Sequence, residues 1–146
     1  MIIIKELMRL QDKVALITGA GRGIGLAEAR LFAKEGATVA IADVLEHEGG
    51  AITAEISNGG GQAIFVSLDV TSVTDWTVAV DVVTAQFGKL DILVNNAGIF
   101  QRTRVEETSS DDWDQVMSVN AKGPFLGTRA AIPVMKDNGG GSIVNI

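Results

Sequence analysis

The chain has 146 residues, with 12 Lys and Arg against 18 Asp and Glu, a net charge of −6, one His, no Cys and no Tyr. That balance excludes a nucleic-acid binder, which needs clustered cations. The counts also exclude disulfides, thiol chemistry, multi-His metal centres and, within these residues, a tyrosine acid or base.

No stretch approaches the roughly 18 apolar residues of a membrane span, so no membrane partner is expected. Residues 1–10 read as a ragged lead-in, too short and too soon charged for a signal peptide. A cytoplasmic protein follows as the expectation, with residues 11–146 as one domain.

Residues 14–17 (VALI) are apolar at every position, as in a strand covered on both faces. Ile24, Ala27 and Leu31 then sit three and four apart, marking the apolar face of a helix that stops at Gly36. Residues 39–42 repeat the strand pattern. Leu45, Ile52 and Ile56 share the next helical face, which ends at Gly59-Gly60-Gly61. Gly49 and Gly50 inside that helix cost about 1 kcal/mol each relative to Ala. His47 on it reads as a surface side chain, with a cofactor contact just after Asp43 as the alternative.

Residues 63–66 form a third strand. Val73, Trp76, Val80, Val83 and Phe87 repeat at spacings of 3, 4, 3 and 4, the clearest amphipathic stripe in the chain. Thr71 or Ser72 can cap its start, and Asp75 suits the positive end. Residues 92–94 form a fourth strand. The last helix opens at Thr108-Ser109-Ser110 and runs to about Met135. Asp111, Asp112 and Asp114 in its first turn read as acids answering unpaired N–H groups, since no matching metal ligands appear elsewhere. Trp76 and Trp113 read as core or interface packing. Residues 143–146 are a fifth strand. Strands alternating with helices mean right-handed crossovers and a parallel sheet.

The first strand runs into Thr18-Gly19-Ala20-Gly21-Arg22-Gly23-Ile24-Gly25, and a helix follows. Glycines there permit a tight turn, a close approach by a pyrophosphate, and close helix–strand packing. The helix start aims N–H groups and its positive dipole end at the phosphates. Asp43 ends the second strand, 18 residues after Gly25. An acid about 20 residues on can accept from adenosine ribose hydroxyls. The same carboxylate repels a 2′-phosphate and so favours NAD over NADP. Arg22 argues the other way, because a guanidinium in the loop can face that phosphate.

Gly19, Gly23 and Gly25 have the spacing G-x-x-x-G-x-G. Asp69-Val70 follows the third strand, Asn95-Asn96-Ala97-Gly98 the fourth, and Asn120 stands in Val119-Asn120. With these motifs in order, residues 10–146 resemble the short-chain dehydrogenase/reductase family in its single-domain form. The resemblance implies a doubly wound, Rossmann-like parallel sheet of strand order 3-2-1-4-5. The cofactor is then expected across the carboxyl ends of the strands, at the switch between strands 1 and 4.

The resemblance also assigns residues. Gly19, Arg22, Gly23 and Ile24 would line the pyrophosphate and ribose, and Asp43 would hold the ribose hydroxyls. Asp69 would accept from the adenine amino group and the Val70 amide would meet the ring, with a plain turn as the other reading of Asp69. Asn96, Ala97 and Gly98 would pass their backbone along the adenosine side, with a simple turn as the other reading. Asn95 looks like a structural bracket between strands. Asn120 would join a water-borne proton relay. Pro124, four residues on, has no N–H for the Asn120 carbonyl, so the helix should kink there and leave that oxygen free.

The implied reaction is hydride transfer between NAD(H) and an alcohol or ketone. The family's catalytic Ser and Tyr-x-x-x-Lys lie downstream of the fifth strand, and Ser142 does not match that serine. This stretch alone is therefore expected to be inactive, as part of a longer enzyme. The alternative is a non-catalytic NAD-binding module or sensor. Family members form homodimers or homotetramers, using the long helix of Trp113 to Met135. Arg102 and Arg104 read as solvated loop charges that could touch a substrate or a subunit.

Overall fold

A computed structural model describes residues 8–146. The first seven residues of the expected 1–10 lead-in lie outside the described residues. Five strands, β1 (Val14–Thr18), β2 (Thr38–Asp43), β3 (Gln62–Ser67), β4 (Ile92–Asn95) and β5 (Ser142–Asn145), form one sheet. All are parallel, in the order β3-β2-β1-β4-β5. The helices are α1 (Gly23–Lys34), α2 (Glu46–Asn58), α3 (Val73–Phe87), α4 (Ser110–Met117) and α5 (Gly123–Asp137). This is the expected doubly wound fold.

Each sheet face packs its own layer. Ala15, Ile17, Val39 and Ile41 meet Ala29 of α1 and Ile52 and Ile56 of α2. Leu16, Ala40 and Leu93 face the other way, against Trp76 and Val83 of α3 and Leu126 and Met135 of α5. Every residue of β1 and β4 is buried, which is why those strands carry no polar alternation. Asp91 ties their starts together: it accepts the Val14 N–H at 2.8 Å and pairs with Lys89 at 2.9 Å. Burial opposes its charge, yet the Val14 N–H and the Lys89 ammonium prevail and hold its carboxyl below the ordinary value.

Ser72, rather than Thr71, caps α3: its hydroxyl accepts the Asp75 N–H at 3.2 Å. Ser109 caps α4 in the same way through Asp112. The long last helix is interrupted. A π-helical turn, Ser118–Lys122, joins α4 to α5, and the Gly123 N–H reaches back to the Ser118 carbonyl. The break falls where Pro124 withholds its N–H from Asn120, so the expected irregularity takes the form of a π turn.

Three packing expectations are corrected. Ile24 and Leu31 are 63% and 48% exposed, and Ala27 is exposed too. The buried residues of α1 are Gly25 and Ala29, because small residues let this helix lie close on the sheet. Trp113 is 60% exposed and α4 has no buried residue, so of the two readings of Trp113 the core one falls and the interface one stays open. Gly49 is not merely a weak point of α2: a side chain there would collide with the Phe65 ring of β3.

Candidate functional site

The carboxyl ends of β1, β2 and β4 open onto a cleft of about 530 Å³. Gly19, Arg22, Gly23, Ile24, Asp43, Asp69, Val70, Asn96, Ala97 and Gly98 all line it. Four loops therefore bring together residues up to 79 positions apart in sequence (Gly19 to Gly98). They meet because β2 and β4 flank β1, where successive crossovers leave in opposite directions.

The glycine loop is held from two sides. Asp43, buried at the end of β2, accepts the Gly21 N–H at 2.8 Å through one oxygen and the Leu45 N–H at 3.0 Å through the other. Each carboxylate oxygen keeps a further lone pair for a hydroxyl in the cleft. On the β4 side, the Thr18 hydroxyl accepts the backbone N–H groups of Asn96 and Ala97, both at 3.0 Å. The Asn96 amide donates to the carbonyls of Thr18 and Gly19 at 2.9 and 3.2 Å.

Two glycines carry distinct demands. Gly25 would bring a Cβ against the Gly19 carbonyl and within 2.5 Å of Asn96 Nδ2. Gly23 has φ +60°, and a Cβ there would meet nothing within 4 Å. Gly23 therefore supplies left-handed backbone beside open space. The helix it starts has no side-chain cap and no acid in its first turn, whereas α2, α3 and α4 all carry acids there. An uncapped, acid-free helix start beside open space fits an anionic phosphate group.

Asp69 and Val70 sit on a knotted turn. Asp69 Oδ1 accepts the Thr71 N–H at 2.8 Å and its hydroxyl at 2.7 Å. The Asp69 N–H donates to Asp75 Oδ2 at 3.1 Å. The Ser72 hydroxyl, and next the Asp69 N–H, hold the Asp75 carboxyl below the ordinary value. Val70 is fixed from behind, since Trp76 Nε1 donates to its carbonyl at 2.9 Å. One Asp69 oxygen is thus a turn acceptor, as the plain-turn reading of this residue has it.

Asn95 Nδ2 donates to Asn145 Oδ1 at 2.9 Å, bracketing β4 to β5 as expected. Asn120 is exposed and does not line the cleft. Its side chain pairs with one backbone unit: Nδ2 donates to the Ile99 carbonyl at 2.8 Å, and Oδ1 accepts the Ile99 N–H at 2.9 Å. That clamp on the loop after Gly98 had no signature in the sequence.

Sequence reasoning also missed Thr18 and the apolar lining of Val44, Leu45, Leu68, Ile99, Phe100 and Val119. Thr18 could have been found as the hydroxyl beside the first glycine. His47, Arg102 and Arg104 are exposed and do not line the cleft. Among the described residues no His/Asp/Glu group is placed to hold a metal ion, and no helix is long and apolar enough to cross a membrane.

Comparison with known proteins agrees with this geometry. The short chain dehydrogenase family model matches residues 13–146. Trans-4-hydroxycyclohexanecarboxylate dehydrogenase of Sinomonas cyclohexanicum is 50% identical over 144 residues, covering 94% of this chain and 55% of that protein. Cyclopentanol dehydrogenase of a Comamonas species is 46% identical over 138 residues, with 94% and 55% covered. The crystal structure of a short-chain type dehydrogenase/reductase from Mycobacterium marinum superposes with a TM-score of 0.91 at 35% identity, covering 95% of this chain and 57% of that one. The chain spans a little over half the length of these relatives.

Proposed function

The chain belongs to the short-chain dehydrogenase family, and from that premise we propose that it holds the NAD(H) of an oxidoreductase acting on cyclic secondary alcohols and their ketones. The observation that carries this reading is the single cleft lined at once by the glycine loop, Asp43, Asp69-Val70 and Asn96-Gly98. The relatives supply the substrate class: one is named for a hydroxycyclohexanecarboxylate and another for cyclopentanol.

The residues divide the work. The uncapped start of α1 and Gly23 receive the pyrophosphate. Asp43 accepts from the ribose hydroxyls and repels a 2′-phosphate, which favours NAD over NADP despite Arg22 at the loop. Asp69 and the Val70 amide take the adenine. The nicotinamide supplies the hydride chemistry when bound, and the protein supplies position and proton handling. Asn120 spends its side chain on Ile99, so its role in proton handling falls to the main-chain carbonyl that Pro124 leaves without an N–H. That carbonyl would hold a relay water. Met117, Trp113, Phe125 and Ile132 expose apolar surface along α4 and α5, which supports a homodimer or homotetramer formed through these helices.

The test has two arms. Titration of the protein with NAD and NADP reads the nucleotide site, and NAD-dependent oxidation of cyclohexanol by the intact protein reads the activity. Binding with turnover supports the enzyme. NAD binding without turnover of any cyclic alcohol replaces it with a non-catalytic nucleotide-binding module.

A further inference from the structure

The cleft changes character along its length. Its β2 end carries the charged Asp43 and Arg22 beside the apolar Val44 and Leu45. Beyond Gly98 the lining holds no charge, with Ile99, Phe100 and Val119. Phe100 is 74% exposed, so its ring stands at the open rim of that apolar end. Two residues on, the Arg102 guanidinium lies over this ring, 5.4 Å from its centroid. That stacking anchors one charge beside the rim.

Among the described residues Arg102 has no acidic partner, and ion pairs engage Arg9, Lys13, Arg30 and Lys89 only. The nearby acid Asp112 is already occupied, accepting from Gln101 at 2.9 Å and from the Ser109 hydroxyl at 2.7 Å. An unpaired guanidinium presents a planar fork of donors that matches a carboxylate. A local cation beside the rim offsets part of the net charge of −6 that these 146 residues carry.

We propose that Arg102, stacked on Phe100, is a carboxylate-recognising residue at the substrate end of the cleft. The preferred substrates are then carbocyclic alcohols that bear a carboxylate. The apolar wall takes the ring and the guanidinium takes the anion. This rests on the oxidoreductase reading above, and it deepens that reading from cyclic alcohols in general to anionic ones.

The experiment compares the intact protein with R102Q and R104Q, using cyclohexanol and 4-hydroxycyclohexanecarboxylate as alternative substrates with NAD. Arg104 lies in the same loop, is exposed, and is not stacked on an aromatic ring. It therefore controls for the loss of one loop charge. R102Q is expected to raise KM for the carboxylate by about ten- to a hundredfold, as loss of a charged hydrogen bond does. Its KM for cyclohexanol should stay within about twofold, and R104Q should leave both values within the same margin. An unchanged carboxylate KM in R102Q overturns the proposal. Equal effects from R102Q and R104Q also overturn it, since they mean general electrostatics. Failure of the unaltered protein to oxidise either substrate is a separate result, and it strikes the oxidoreductase reading itself.

Discussion

The Thr18 hydroxyl accepts the Asn96 backbone N–H at 3.0 Å, while the Thr18 carbonyl accepts the Asn96 side-chain amide at 2.9 Å. The same hydroxyl takes the Ala97 N–H at 3.0 Å and donates to the Val94 carbonyl at 3.3 Å. One side chain thus holds two of the loops that line the cleft in fixed relation. T18V keeps the shape but strands two N–H groups. Leaving buried donors unpaired costs about 1–3 kcal/mol each, and because these two N–H groups are only part-buried, the lower end, a loss of about 2–4 kcal/mol, is expected. T18S keeps the hydroxyl and should stay within about 1 kcal/mol. Urea unfolding of the three proteins measures this, and T18V unfolding with T18S rules out the hydroxyl as the cause.

The strands were legible because their apolar runs are nearly continuous, as in a doubly covered parallel sheet, while their order in the sheet came from the family resemblance. The cleft was legible because glycine spacing and a following acid are tied to backbone chemistry. What escaped was carried by small or polar residues. Ile24 and Leu31 looked like the buried face of α1, but Gly25 and Ala29 are the packing residues. Apolar periodicity weights large side chains and is blind to a helix that must lie close. The Asn120 clamp on Ile99 joins residues 21 apart through a loop, a pairing no periodic signal records.

Gly25 and Gly23 should respond differently to Ala. G25A sets a methyl against the Gly19 carbonyl and Asn96 Nδ2, so the loop or the helix must shift. Overpacking of this kind costs about 1–3 kcal/mol, and NAD affinity should fall with it. G23A meets no atom, and pays only for a left-handed backbone at φ +60°, about 1–2 kcal/mol. Thermal melts with and without NAD separate the two. Nucleotide affinity in G25A equal to that of the unaltered protein would contradict the assignment of Gly25 to the packing of the nucleotide loop.

Asp43 sets the cofactor preference in the proposed function. D43N keeps the shape and one acceptor oxygen for the Gly21 or Leu45 N–H but removes the charge. NAD affinity should fall by about tenfold, the usual cost of losing a charged hydrogen bond. NADP affinity should rise or hold, because the like charge facing the 2′-phosphate is gone. The ratio of the two dissociation constants by calorimetry decides it. A ratio unmoved by D43N places the ribose elsewhere.

Two carboxyls of the first crossover should give opposite pH linkage. Glu35 accepts from the Arg9 side chain at 2.8 Å and from its backbone N–H at 3.0 Å. The Arg9 side-chain hydrogen bond, then the backbone one, lower its pKa from 4.5 to about 2. The unfolded chain therefore takes up its proton first as pH falls. The stabilisation is complete above 4.5 and is lost as pH drops toward 2. Glu28 is the reverse case. Its Oε2 is buried without a partner among the described residues, and burial raises its pKa above the ordinary 4.5. The folded state then holds its proton longer, so a penalty develops as pH rises from 4.5 toward the raised value and persists above it. E35Q should be less stable than the parent at neutral pH, with the difference vanishing in acid. E28Q should be more stable at neutral pH, with the gain vanishing below 4.5. Unfolding free energies measured across pH 2 to 7 distinguish the two curves. An E28Q curve parallel to the parent would mean that Glu28 finds a partner for its buried oxygen.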